Sequence, residues 1–181
     1  MGKSATQLSF RAGVHRPATG EPWLFARLPL QESEKLPSRS MQSVEGTIDR
    51  TNFATTLLPD GEGGHWMKIE AALVSAIGLE PGKTVDLTIT PATVEPEPDI
   101  PEDWQRALEN HSEAMATWKD ITAVARRDWI QWLTTGKKAE TRHIRLEKGM
   151  DMLAKGKRRI CCFDRSGMYG KTLSCPVAAD E

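Results

Sequence analysis

The sequence predicts an α+β protein: a small β-barrel of about six strands and one short helix, followed by an all-α helical subdomain. Three observations carry that prediction. Residues 1–94 alternate apolar and polar side chains in short runs broken by glycine and proline, the mark of successive short strands. Residues 95–101 read Glu-Pro-Glu-Pro-Asp-Ile-Pro, a segment that can be neither helical nor part of a central strand and so serves as a linker. Over residues 102–159 the apolar residues recur at helical spacing instead.

The first strand is expected over Thr6 to Val14, where Leu8, Phe10, Ala12 and Val14 share a face, and Pro17 to Pro22 then turns the chain into a second, Trp23 to Leu28. Gln31 to Ser40 is polar and reads as irregular. Met41 to Asp49 and Asn52 to Leu58 form a hairpin turning over Asp49-Arg50-Thr51-Asn52, and the Pro59 to Gly64 turn leads into His65 to Glu70. Ala71, Leu73, Val74, Ile77 and Leu79 then suit a short helix stopped by Gly78, before a last strand with Val85, Leu87 and Ile89 on one face. Six such short strands favour closure, which removes exposed edges.

Beyond the linker, Pro101-Glu102-Asp103 starts a helix with Trp104 and Leu108 one turn apart. A second helical segment carries Met115, Trp118 and Ile121. Thr122 is placed to cap a third, running through Leu133 with Trp129, Trp132 and Leu133 on its apolar stripe, and Gly136 breaks it. The fourth, from Lys137 to about Lys155, presents Leu146, Met150 and Leu153 at spacings of four and three. Residues 160–181 read as an irregular tail.

Several of these stretches resemble known families. Arg126 through Leu133, Gly136 through Arg142, Leu146, Leu153 and Gly156-Lys157-Arg158 resemble the helical module of the YdeI/OmpD-associated, or bacteriocin-protection, family. Val44 to Ile48, Leu57 to His65, Gly78 and Pro81 to Val85 resemble a domain of unknown function, DUF1905, that often precedes it. The likeness runs over about residues 5–159 and departs at Gly136, where that family usually has alanine, and in the tail. It implies a split barrel plus helical subdomain in a bacterial protein, in a family named for an association with outer-membrane protein and antimicrobial-peptide phenotypes and with no agreed chemical activity.

Composition narrows the function classes. The 181 residues carry a net charge of -1, which gives no global attraction to nucleic acid or anionic membrane. The charge is uneven: residues 1–95 hold 9 basic and 11 acidic side chains, residues 96–136 hold 4 and 8, and residues 137–171 hold 11 and 4. Three cysteines are too few for a disulfide framework, so a reducing, cytoplasmic setting is expected. Ala71 to Gly78 is far too short to span a bilayer, and no apolar leader opens the chain, although Met1-Gly2-Lys3-Ser4-Ala5-Thr6 fits the bare myristoylation pattern.

Few residues invite chemistry. The glycine-rich turn Asp60 to Gly64 could cradle a phosphate, but it lacks the Lys-Ser/Thr and following helix of a phosphate loop and reads as a hairpin turn. Cys161, Cys162, Cys175 and His143 do not have paired metal-ligand spacing, so no metal and no cofactor are expected; Arg158, Arg159 and Arg165 would at most lower a thiol pKa. His15, His65, His111 and His143 lie apart from any nucleophile, and no catalytic residue is assigned. Of the six tryptophans, Trp104, Trp118, Trp129 and Trp132 sit at core spacing in the helical half, with an aromatic binding platform as the alternative.

The basic segment is the most informative feature. Lys138, Arg142 and Arg145 share a helix face, and Lys137 or Arg142 could hold an anion, the latter bidentately. The candidate ligand set is Lys137, Lys138, Glu140, Thr141 and Arg142, with Trp132 giving apolar contact; against it stands a plain solvated face with Glu140, Glu147 and Asp151 as local partners. Three functions stay open: an accessory protein binding a small anion or protein partner, a nucleic-acid-binding stress or regulatory protein, and, more weakly, an enzyme of unrecognised type. Steep salt dependence would mark the second and a strongly perturbed pKa in a pocket the third.

Overall fold

The computed structural model describes residues 6–160, 163–168 and 173–179, so Cys161, Cys162 and the Met1-Gly2 pattern lie outside the described residues. The chain forms two compact units, residues 1–94 with 164–181 and residues 95–163.

In the first unit, β1 (Leu8–His15), β2 (Leu24–Arg27), β3 (Gln42–Ile48), β4 (Thr51–Pro59), β5 (His65–Ile69) and β6 (Thr84–Pro91) close into an antiparallel barrel in the order β1-β2-β5-β4-β3-β6. The alternation read from sequence sets its interior: Leu8, Ala12, Val14, Val44, Ile48, Leu57, Val85, Leu87 and Ile89 are buried together. Gln31 to Ser40 is not wholly irregular, because α1 (Leu30–Ser33) makes one helical turn there. Two sets of bonds hold it: the carbonyl of Pro29 accepts from Glu32 and Ser33 N–H at 2.9 and 3.0 Å, and the buried Ser33 Oγ accepts from the distant His65 N–H at 3.1 Å. The helix α2 (Ala71–Ile77) ends as expected on Gly78, whose φ of 61° is the left-handed cap conformation.

The β3–β4 hairpin turns more tightly than expected. Asp49 and Arg50 alone form the turn, with φ of 43° and 72°, and β4 resumes at Thr51. This is the two-residue turn whose twist matches that of the strands it joins. Asp49 Oδ1 accepts from Asp86 N–H at 2.9 Å and ties the turn to β6. Alongside, β3 approaches β6 so closely that a Cβ on Gly46 would lie 1.8 Å from the Thr88 carbonyl oxygen, so only glycine fits. Closure is slighter on the other side, where β4 meets β5 at three pairs only, Leu57↔Met67, Leu58↔Trp66 and Pro59↔His65.

The described part of the tail is irregular in form yet held on the barrel. Ala18 N–H donates to the Val177 carbonyl (2.9 Å), Ala179 N–H to that of Arg16 (2.8 Å), and Arg27 Nε–H to Cys175 Sγ (3.1 Å). Ala178 thereby covers Phe25 and Trp66 on the outer face of β2 and β5.

The second unit contains α3 (Glu102–Glu109), α4 (Ser112–Asp120), α5 (Ala123–Thr134) and α6 (Ala139–Ala154). Thr122 caps α5 as expected, its Oγ1 accepting from Ala125 N–H at 3.2 Å. Tryptophans make the core: the Trp104 ring lies 5.7 Å from Trp118 and 6.3 Å from Trp129, both edges of a cluster in which Trp104 and Trp129 are wholly buried. Burial removes these three from any base-stacking platform. The Trp104 ring rests on α6 where Gly149 has no side chain. The proline-rich linker is docked rather than loose: Glu95 pairs with Arg127 at 2.5 Å and Glu97 with Arg126 at 2.7 Å, while Arg126 also donates to the α4 carbonyls of Trp118 (2.9 Å) and Lys119 (3.0 Å).

Candidate functional site

The basic segment folds as the α5–α6 connection, Thr135 to Lys138, and the helix it enters. Leu146, Met150 and Leu153 face the core of the second unit, which fixes the rotation of α6. Arg142 lies one turn before Leu146 and Arg145 one turn before Gly149, so both fall on or beside the inward stripe. Arg142 accordingly grips Asp103 at the start of α3 through two bonds, Nε–H to Oδ2 at 2.7 Å and Nη2–H to Oδ1 at 3.0 Å. The hydrogen bond from Arg142 holds the Asp103 carboxyl below the usual aspartate range, and the same bond raises the guanidinium pKa. Arg145 donates to the Trp132 carbonyl (2.5 Å) and Thr135 Oγ1 (2.8 Å) at the end of α5, with its guanidinium 5.5 Å from the Trp132 ring centre.

The lysines behave differently. Lys137 and Lys138 are exposed, as are Glu140 and Lys148, and among the described residues none of these lysines joins an ion pair. Lys138 is the N-cap residue of α6, and no side chain caps its first turn. Thr141 is half-buried; its methyl group lies 3.3 Å from where a Cβ on Gly136 would stand, so glycine lets the connection fold closely over α6. Trp132 is half-buried between Arg145 and Trp129. The six candidate residues thus sort into exposed charges at the helix entrance (Lys137, Lys138, Glu140), a partly covered wall (Thr141, Trp132) and Arg142, engaged with Asp103. Sequence reasoning missed Asp103 as that partner; its one signal was an acidic residue in the first turn of a helix. Lys148, part of the basic segment but outside the candidate set, is a further exposed cation with no ion pair among the described residues.

Elsewhere the bland readings prevail. Asp60 Oδ1 accepts from Glu62 and Gly64 N–H at 2.8 and 2.9 Å, so the glycine-rich loop is filled by its own carboxylate and makes a turn, not a phosphate cradle. His65 is wholly buried with Nε2 3.0 Å from the Ser40 carbonyl, and burial pushes its pKa below the usual value. Among the described residues no three His, Cys, Asp or Glu side chains come together as metal ligands, and no helix is long and apolar enough to cross a membrane.

A closed six-stranded barrel is thus followed by a tryptophan-cored helical unit, with two exposed lysines that join no ion pair among the described residues at the entrance of its last helix. Residues 10–89 match the family model described as Domain of unknown function (DUF1905), and residues 97–156 match the one described as Bacteriocin-protection, YdeI or OmpD-Associated. These consecutive matches are to the two families that the motifs of the chain resemble. Comparison with curated proteins gives no match.

Proposed function

We propose that this protein is a non-enzymatic accessory protein that holds an anionic group, on a small molecule or on a protein partner, at the α5–α6 connection. One observation carries the reading: Lys137 and Lys138 stand exposed and unpaired beside the uncapped first turn of α6, while the neighbouring arginines are already bonded within the fold. Backbone N–H groups and ammonium groups at one helix entrance suit a carboxylate or phosphate. In this reading Lys137 and Lys138 supply the charge, Glu140 orients them, the Thr141 hydroxyl adds a donor, and Trp132 gives an apolar edge. Arg142 acts through Asp103, tying the first part of α6 to the start of α3. A reducing, cytoplasmic setting fits three cysteines, too few for a disulfide framework.

The test is calorimetric titration with inorganic phosphate, with a short acidic peptide and with a DNA oligonucleotide, at two salt concentrations. Phosphate or peptide binding that disappears in a Lys137→Ala/Lys138→Ala double variant of unchanged melting temperature supports the proposal. Tighter oligonucleotide binding with a steep logarithmic salt slope transfers the site to the nucleic-acid reading. Binding of all three that survives the double variant refutes the site.

A further inference from the structure

Strand β4 leaves part of one edge unpaired, and we propose that this edge binds an extended peptide segment of a partner protein by strand addition. Strand β4 pairs with β3 from Thr51 to Leu57, yet on its other side it meets β5 only at Leu57, Leu58 and Pro59. Across a two-residue hairpin turn the flanking pair Ile48↔Thr51 is hydrogen-bonded, and bonded pairs then alternate along the ladder. Phe53 and Thr55 therefore direct their N–H and C=O groups to β3, whereas Asn52 and Ala54 direct theirs away from it. Among the described residues, no hydrogen bond joins the backbone of Asn52 or Ala54 to anything beyond β3. The split widens toward the turn, for at Thr55 the hydroxyl still reaches the Lys68 carbonyl at 3.4 Å.

Three further observations select a peptide as the occupant. First, Phe53 belongs to the interior side, packed on the barrel core, but remains only partly buried because nothing pairs alongside it. Second, a cavity of about 270 Å³ lies against this edge, walled by Phe53, Thr55, Met67, Ile69 and Leu73, which is room for one bulky apolar side chain. An added strand presents alternate residues to that cavity and to solvent, as its pleat requires. Third, Asn52-Phe53-Ala54-Thr55-Thr56 contains no lysine, charge or proline, the devices that guard a strand edge against pairing. Glu70 is exposed at the rim and shared with Lys68 at 3.2 Å, and Glu45 is exposed on the neighbouring β3, so a basic residue flanking the apolar anchor meets net acidic surroundings. A second copy of this chain is a poorer occupant. Its own β4 edge lies in the same cleft beside α2 and would bring Glu45 and Glu70 against their duplicates.

Amide hydrogen exchange on the full chain tests the premise directly. Asn52 and Ala54 should exchange quickly while Phe53 and Thr55 are protected; equal protection of all four overturns the proposal. The binding arm uses a fluorescent heptapeptide, Lys-Thr-Thr-Leu-Thr-Thr-Lys, and the same peptide N-methylated on alternate residues. The expected result is saturable binding that slows exchange at Asn52 and Ala54 and weakens by about tenfold or more on N-methylation, since each lost backbone bond counts. Ala54→Pro, which deletes one outward N–H without touching the β3 ladder, should weaken it similarly. Binding indifferent to N-methylation, or no slowing at Asn52 and Ala54 at saturation, refutes strand addition. Slowing that appears with protein concentration alone assigns the edge to self-association instead and also overturns the proposal.

Discussion

Replacing Gly149 by alanine sets two effects of opposite sign against each other. In a helix interior the change gains roughly 0.8–1.0 kcal/mol from backbone propensity. At this position, however, the new Cβ would lie 2.5 Å from Trp104 Cη2 and 2.8 Å from Cζ3, and ordinary contact begins at 3.4 Å, so the ring must retreat by about 0.9 Å. Trp104 is wholly buried against Trp118 and Trp129 and has nowhere free to go. Overpacking of a filled core costs about 1–3 kcal/mol, and a rigid indole so close places the cost in the upper half of that range. Gly149→Ala should therefore lose about 1–2 kcal/mol in urea unfolding followed by circular dichroism at the helical minimum. Both clashing atoms lie on the outer edge of the fused indole, farther from the backbone than a phenyl ring reaches. In a Trp104→Phe background the same substitution should be neutral or stabilising, a coupling of about 2 kcal/mol in a double-mutant cycle. Stabilisation by Gly149→Ala in the parent background, or an equal effect in both, would refute the seating of Trp104 on α6.

Other consequences are as direct. Gly46→Ala must part β3 from β6, because its Cβ meets the Thr88 carbonyl oxygen at 1.8 Å; a loss of roughly 2–4 kcal/mol is expected in thermal unfolding, and one below about 0.5 kcal/mol would contradict the close approach. The Asp103 carboxyl, held low by Arg142, stabilises the fold at neutral pH, and that contribution is lost as pH falls below the ordinary aspartate range through its lowered value. Since both side chains are partly exposed, Arg142→Ala should cost under about 1 kcal/mol and abolish this acid dependence, whereas Lys138→Ala should leave it intact. His65 is neutral in the fold, so its contribution is complete above 6.5 and declines as pH drops below that, when the unfolded chain takes up the proton first. An imidazole titration by NMR that shows His65 protonating at or above 6.5 would contradict its burial.

Local signals in the sequence sufficed for most elements, because period and punctuation are local. Alternation in Val85, Leu87 and Ile89, the Thr122 cap and the Gly78 stop each act within a few residues of themselves. What escaped depends on contacts distant in sequence. The turn at α1 is fixed by the bond between Ser33 and His65, 32 residues apart. The glycine at 46 has meaning only against Thr88, and the tail's place only against Arg16 and Phe25. The candidate site fell between these cases. Spacing put Lys138, Arg142 and Arg145 on one face but could not say which way that face turned. The continuation of the Leu146–Met150–Leu153 stripe toward the start of the helix held that information, and it points inward at Arg142.

The return of residues 173–179 to the barrel gives the chain an unusual economy of attachment. The helical unit, residues 95–163, is an excursion from a barrel whose sequence lies on both sides of it. It is covalently secured at two ends, so its freedom is that of a closed loop rather than a dangling appendage. A single proteolytic nick within Glu95 to Pro101 would leave the two units joined through the tail, and co-migration after such a nick is no measure of their affinity. A chain cut short after the helices would retain every strand of the barrel yet uncover Phe25 and Trp66, an aromatic patch inviting aggregation. The barrel unit thus extends beyond the helices, to a docked segment that ends nearly ninety residues past its last strand.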